Sequence, residues 1–379
     1  MKNIIVFIIL SLASISATAQ SPELITALLH RISQQQVQQD AFFLPGIFPS
    51  YISSKEVYSS TKKDNNIFYN ALISFTLKNI KPYLSNNNKT IIDSIEQKAR
   101  PLYAHFINQK GRNTYNFWRT DSAFEYPYTG LLNPFNKHVT LPDDMDDTVF
   151  SLWAQDVSDS AAAAIHTVMQ DYTNNGTNEL RSVLPTLNNY PAYSTWFGKK
   201  LPVIFDVSVL CNVLSFVQEN KLTWTKADSA SLELITKTIT EGYYKNEAIY
   251  VSPYYGKTSI ILYHIARLMA IKPIPALEAL KTTLVTDAAI IWATTKNPVE
   301  KIMLSSTLIK WGYKVPTFEI PTFTILEQND FAFFTGNIPS YFGNTLRKYA
   351  TQKGLGLYYH YCPAYNDALL LEYLVLSNK

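Results

Sequence analysis

Apolar residues fall in blocks at helical spacing along most of the chain, each opened by a proline or a polar residue. After a loop, a more polar amphipathic stretch follows, and the pair returns at intervals of roughly 45 to 65 residues. This pattern predicts a repeat of helical hairpins. The more apolar member starts near Pro142, Pro202, Pro253, Pro298 and Pro363, and a sixth, without proline, covers 67–80. Proline suits the first helical turn because the N–H it lacks would be unpaired there. Ser252-Pro253-Tyr254-Tyr255 leading into Ile260-Ile261-Leu262-Tyr263 echoes Cys362-Pro363-Ala364-Tyr365 leading into Leu369-Leu370-Leu371. The more polar partners are expected over 89–108, 159–172, 227–244 and 274–294. A further helix is predicted over 22–36, ended by Pro45-Gly46 and Pro49, and a loop or short hairpin over 314–339. The fold expected is all-α, an α/α toroid in which about six helical hairpins form a double ring.

Composition narrows the function classes. The chain has 379 residues, 47% hydrophobic and 13% aromatic, and only 12 glycines, which leaves no glycine-rich phosphate loop. The net charge of +3 is spread along the chain without a Lys/Arg block, so nucleic acid is not an expected partner. Met1-Lys2-Asn3, an apolar run over 4–15 and Ala17-Thr18-Ala19 read as a cleaved signal peptide over 1–19, with an uncleaved anchor as the alternative. A periplasmic or secreted protein follows, with no transmembrane span in the mature chain. Residues 20–66 are then an N-terminal attachment, and 67–379 the toroid domain. Cys211 and Cys362 would meet an oxidising compartment and either pair or stay as two buried thiols.

The stretch Pro142-Asp143-Asp144-Met145-Asp146-Asp147-Thr148, followed by Val149-Phe150-Ser151-Leu152-Trp153, concentrates four carboxylates in the first turn of an apolar helix. Mutual repulsion there would raise at least one carboxyl's affinity for its proton, while the helix dipole opposes the effect. A solvated acidic cap is the alternative. No HExxH, CxxC, GxSxG or P-loop pattern occurs, and the six histidines show no helical pair at metal-ligand spacing. Asp206, Cys211 and His264 are the residue types of a zinc site without a recognisable spacing. No metal or cofactor is expected, although clustered carboxylates suit Mg2+.

Asp144-Met145-Asp146-Asp147-Thr148 resembles the Asp-x-Asp-Asp-Thr acid motif of class II terpene cyclases. Phe205-Asp206, Asn212-Val213-Leu214 and the run from Tyr250 to Tyr255 with Thr258 are similar to later segments of bacterial class II diterpene cyclases. Cys362-Pro363-Ala364-Tyr365 is similar to the Ser-Pro-Ala start of their last repeat. The resemblance spans 67–377 and implies the α/α toroid of terpenoid cyclases and protein prenyltransferases. It also implies a general acid at Asp146 that protonates an alkene or epoxide, tuned by Asp144 and Asp147. Trp118, Trp153, Tyr254, Tyr255 and Tyr365 would face the carbocation, with Asn212 and His264 beside the substrate and His264 as terminating base or buttress. The expected enzyme is thus an isomerase or lyase acting on a small hydrophobic isoprenoid. The glutamine-tryptophan repeats of squalene-hopene cyclases are absent, and export separates the chain from intracellular isoprenoid diphosphates. Two alternatives follow: a secreted glycan hydrolase or lyase with an open cleft and a separated carboxylate pair, or a non-catalytic binding toroid with its carboxylates in solvent.

Overall fold

The computed structural model describes residues 22–122, 142–176, 179–181, 184–198 and 201–379. The expected signal peptide lies outside them. The protein is mostly helical, with a small antiparallel sheet among the described residues. Among the described residues, six helices are buried nearly all round, as expected of helices apolar on every face. They are α2 (Phe68–Ile80), α4 (Met145–Ala154), α6 (Val207–Glu219), α8 (Thr258–Ile271), α10 (Pro298–Lys310) and α12 (Pro363–Ser377). Each packs on the next in that order, and α12 packs back on α2.

The remaining long helices bury one stripe each: α1 (Pro22–Gln35), α3 (Asn86–Ala99), α5 (Asp159–Met169), α7 (Lys226–Thr240) and α9 (Lys281–Thr294). α3 packs on α2, α7 on α6, α9 on α10 and α8, and α1 on α12 and α3. His166 of α5 bonds Asp228 of α7 at 3.0 Å. α7 stops before Gly242, whose φ of 70° is the left-handed region that ends helices.

Only Pro298 and Pro363 open their helices directly. Near Pro142 and Pro202 the start is set instead by a side-chain cap. Asp144 accepts the Asp147 N–H, and Asp206 accepts the N–H groups of Ser208 and Val209, so a carboxylate satisfies donors that proline would merely omit. Pro253 lies ahead of α8, in the segment that Asp206 also holds through the Tyr254 N–H at 2.8 Å. The expected 89–108 helix ends at Ala99, where Pro101 turns the chain into a 3-10 stretch, Arg100–His105.

The sheet departs from the all-α expectation. Its strands are β1 (Ser50–Ser53), β2 (Lys62–Asp64), β3 (Phe334–Asn337) and β4 (Leu357–Tyr361), in the order β2-β1-β4-β3. Tyr51 pairs with Tyr361 and Phe334 with His360. These strands are too short to show an alternating pattern and draw their stability from partners far away in sequence. β3 carries Phe334 onto Phe68, the first residue of α2, at 5.0 Å between ring centres.

Candidate active site

The acidic turn is held from two sides. The Asp144 N–H donates to the Tyr115 carbonyl, the Tyr115 N–H donates to Thr148 Oγ1 at 2.9 Å, and Thr148 Oγ1 donates to the Asp144 carbonyl at 2.7 Å. On the other side, the Met145 N–H donates to the Thr195 carbonyl and the Phe197 N–H to the Asp143 carbonyl, each at 2.9 Å. All four carboxylates are buried, none more than 6% exposed, which is not the geometry of a solvated acidic cap.

Their roles differ. Asp143 forms an ion pair with Arg112 at 2.7 Å and accepts from Thr114 and Asn108 at 2.5 Å each, which makes it a structural clamp. Asp144 and Asp147 share a hydrogen bond, and burial together with their mutual repulsion raises the proton affinity of the pair. Asp144 already accepts the Asp147 N–H at 2.7 Å. The shared proton therefore belongs on Asp147, donated to Asp144.

Asp146 stands apart from that pair. Asn212 of α6 donates to its Oδ1 at 2.8 Å, and the Tyr255 hydroxyl donates to its Oδ2. Burial pushes its carboxyl up to about 6, opposed by these two donors and by the positive charge of Arg267. One lone pair on each oxygen is left for the acid proton. The Tyr255 ring lies 4.6 Å from His264 and within 6.2 Å of Phe68, Phe333 and Phe334. His264 Nδ1 donates to the Ile260 carbonyl at 2.8 Å, a carbonyl being unable to donate, so the lone pair lies on Nε2. Nε2 is buried and has no hydrogen-bond partner among the described residues. Burial and the nearby Arg267 hold the ring well below its ordinary titration range, so it is neutral.

Asp146, Asn212, Tyr255 and His264 are thus brought together. The other aromatic candidates are spread more widely. Tyr365 packs on Phe333 at 4.9 Å and on Tyr69 at 5.9 Å. Tyr254 stacks near Phe334 at 6.2 Å and donates its N–H to Asp206, whose carboxyl burial lifts to about 7. Trp153 lies two helical turns beyond Asp146, against Phe75 at 4.6 Å. Trp118 sits over the sheet, its indole N–H donating to Asp64 at 2.9 Å.

No family model, curated protein or solved structure matches this chain.

Among the described residues, no group of three or more His, Cys, Asp or Glu is arranged to hold a metal ion. Asp206, from the zinc triplet considered, directs its oxygens to Ser252 and backbone N–H groups. Cys211 and Cys362 are unpaired and buried. Phe68, Phe333, Phe334 and Arg267 join the site without having been singled out in the sequence. Only the paired phenylalanines Phe333 and Phe334, at the start of β3, offered a signal there.

Proposed function

We propose that this chain is an α/α toroid that uses Asp146 as a general acid to start the cyclisation of an isoprenoid, in the manner of class II terpene cyclases. The observation that carries this reading is a buried, high-affinity carboxyl at the mouth of an apolar helix, facing a cluster of aromatic rings. The closed order of contacts from α2 through α12 back to α2, with amphipathic helices outside, supports the toroid. Burial of all four carboxylates favours it over an open glycan cleft and over carboxylates pointing into solvent.

In the reaction proposed, the Asp146 O–H bond breaks, a C–H bond forms on an alkene carbon, and the π pair that makes it leaves a carbocation. The carboxylate left behind keeps the hydrogen bonds from Asn212 and Tyr255, so its charge forms where donors are already aimed. The cation is then attacked by the next alkene along the substrate, with the faces of Phe68, Phe333, Phe334 and Tyr255 stabilising the positive charge. A proton finally leaves the last cation for His264 Nε2. His264 is a weak base, which suffices because a carbocation is a far stronger acid than imidazolium. His264 then gives up that proton to solvent and Asp146 takes one back, so the net change is an isomerisation.

The test is incubation of purified protein with polyprenyl alcohols, acids and diphosphates, wild type beside Asp146→Asn, with products read by mass spectrometry. A cyclised isomer formed by the wild type and lost in the variant is expected. Cleavage of a polysaccharide panel, also lost in the variant, would replace this reading with a glycan-active one.

A further inference from the structure

Most helices of this protein turn large apolar side chains inward, but α11 (Asn344–Gln352) does the reverse. Only Arg347 and Ala350 of its residues are buried. The Arg347 guanidinium donates to the carbonyls of Ile249 and Tyr250 at 3.3 and 3.4 Å and lies 5.2 Å from the centre of the Tyr250 ring. Leu346 and Tyr349, three residues apart on the outward side, are 55% and 57% exposed. The element on which α11 chiefly packs is the 3-10 turn Ile338–Tyr341. A helix of 9 residues with so little buried beneath it is marginal in water.

Its flanks carry the same character. Phe342 precedes the helix, the Leu355 N–H donates to the Ala350 carbonyl at 2.9 Å, and the Ile338 N–H donates to the Gly356 carbonyl at 3.0 Å. All three side chains are exposed, so five apolar residues are gathered on and beside one short helix. The charge around them has one sign. No Asp or Glu occurs between Asp330 and Asp367, whereas Lys348 and Lys353 stand exposed on α11 and at its end. Glu179 is paired at 2.5 Å with Arg181, the arginine beside Gly343.

These features choose among occupants. A peptide segment docks in a groove, and α11 stands proud of the surface. A second copy seated here about a two-fold axis would set its lysines against these, with no carboxylate of the segment to answer them. A bilayer surface takes both parts: the apolar side chains enter the acyl boundary, and lysine stems lie along it while their ammonium groups reach lipid phosphates.

We propose that α11 and its flanks dock this protein on the surface of a bilayer that carries anionic phospholipid. The helix lies in the plane of the interface, and among the described residues no helix is long and apolar enough to cross a membrane. This contact is independent of the reaction proposed above and holds whichever chemistry the acid turn serves.

The test is flotation of the purified full chain with vesicles of phosphatidylcholine alone or with about 30% phosphatidylglycerol. The mixed vesicles are expected to bind it about tenfold tighter, a preference that about 0.5 M salt removes. The double variant Leu346→Ser/Tyr349→Ser should lose binding to both, and Lys348→Glu/Lys353→Glu should lose the preference for phosphatidylglycerol. Both pairs replace exposed side chains, so melting temperatures should match the wild type. A wild type that floats with neither vesicle overturns the proposal. Binding that survives the Leu346→Ser/Tyr349→Ser change belongs to another segment, the apolar run over 4–15 included, and overturns it as well. Anionic preference unchanged by the lysine reversals overturns the lipid charge assigned. A dimer in sedimentation that the Leu346→Ser/Tyr349→Ser change dissociates, with no vesicle binding by the wild type, would give this face to a second copy instead.

Discussion

Replacing Asp146 by asparagine separates what the acid does for chemistry from what it does to stability. Unfolded, the side chain titrates near its ordinary value of 3.8, whereas burial in the folded protein raises it to about 6. The folded state therefore holds the proton more tightly between these values, and stability present in full below 3.8 is lost as pH rises through about 6. At about 1.4 kcal/mol for each tenfold change in proton affinity, the loss by pH 7 is about 3 kcal/mol. Asparagine has no proton to lose. Its oxygen still accepts from Tyr255, and a rotated Asn212 amide can accept from its new N–H, so both hydrogen bonds are kept. Urea unfolding of the two proteins at pH 4, 5.5 and 7 reads the difference, and the other buried carboxyls largely cancel in the subtraction. The variant should match the wild type within about 1 kcal/mol at pH 4, exceed it by about 2–3 kcal/mol at pH 7, and form no product. A stability difference that does not vary with pH, or a wild type more stable at pH 7, would refute both the raised affinity and the burial said to cause it.

Tyr255→Phe removes one of the two donors that favour the ionised form of Asp146. The midpoint of its pH-dependent stability loss, and the high-pH limb of any turnover, should both move upward by about one pH step, read by the same urea unfolding and by a pH–rate profile. Arg112→Met leaves Asp143 buried with neutral donors only and should cost about 2 kcal/mol in urea unfolding, the modest size reflecting an arginine one-third exposed. Cys211 and Cys362 should ignore a thiol reagent in the native protein and react together in denaturant, and their melting curve should be the same with and without reductant. A single titrating thiol, or none in denaturant, would mean that one or both are modified or paired.

The helices and the acid turn were legible because their signals are local. The buried helices are apolar on every face, and four aspartates ahead of Val149 and Phe150 announce a helix start. The exact starts were less legible, since a proline and a capping aspartate compete for the role and the aspartate prevailed at Asp144 and Asp206. The sheet was not, because β1 and β4 meet across some three hundred residues and each is only a few residues long. Trp118 illustrates the limit for aromatics. Its composition suited a cation-facing wall, but Asp64, a partner brought in by β2, fixes it at the sheet. Arg267 escaped notice for the opposite reason, since one basic residue on an apolar helix is ordinarily its solvent-facing edge.

The order in which the chain is synthesised gives the closing contact a further meaning. α12, which follows α1 and α2 by almost the whole ring, is buried from Pro363 to Val375, and it packs on α2 and on α1, whose Arg31 and Gln35 bond Asp367. Until β4 and α12 have emerged, α2 exposes the face that α12 covers, and β1 has β2 but not β4. The early helices must then wait with apolar surface uncovered, a state that invites aggregation and the attention of chaperones. Loss of α12 would uncover the faces of α1 and α2 that it packs on, so a stop codon just ahead of Pro363 should leave the protein insoluble or quickly degraded, which its level in the soluble fraction would read.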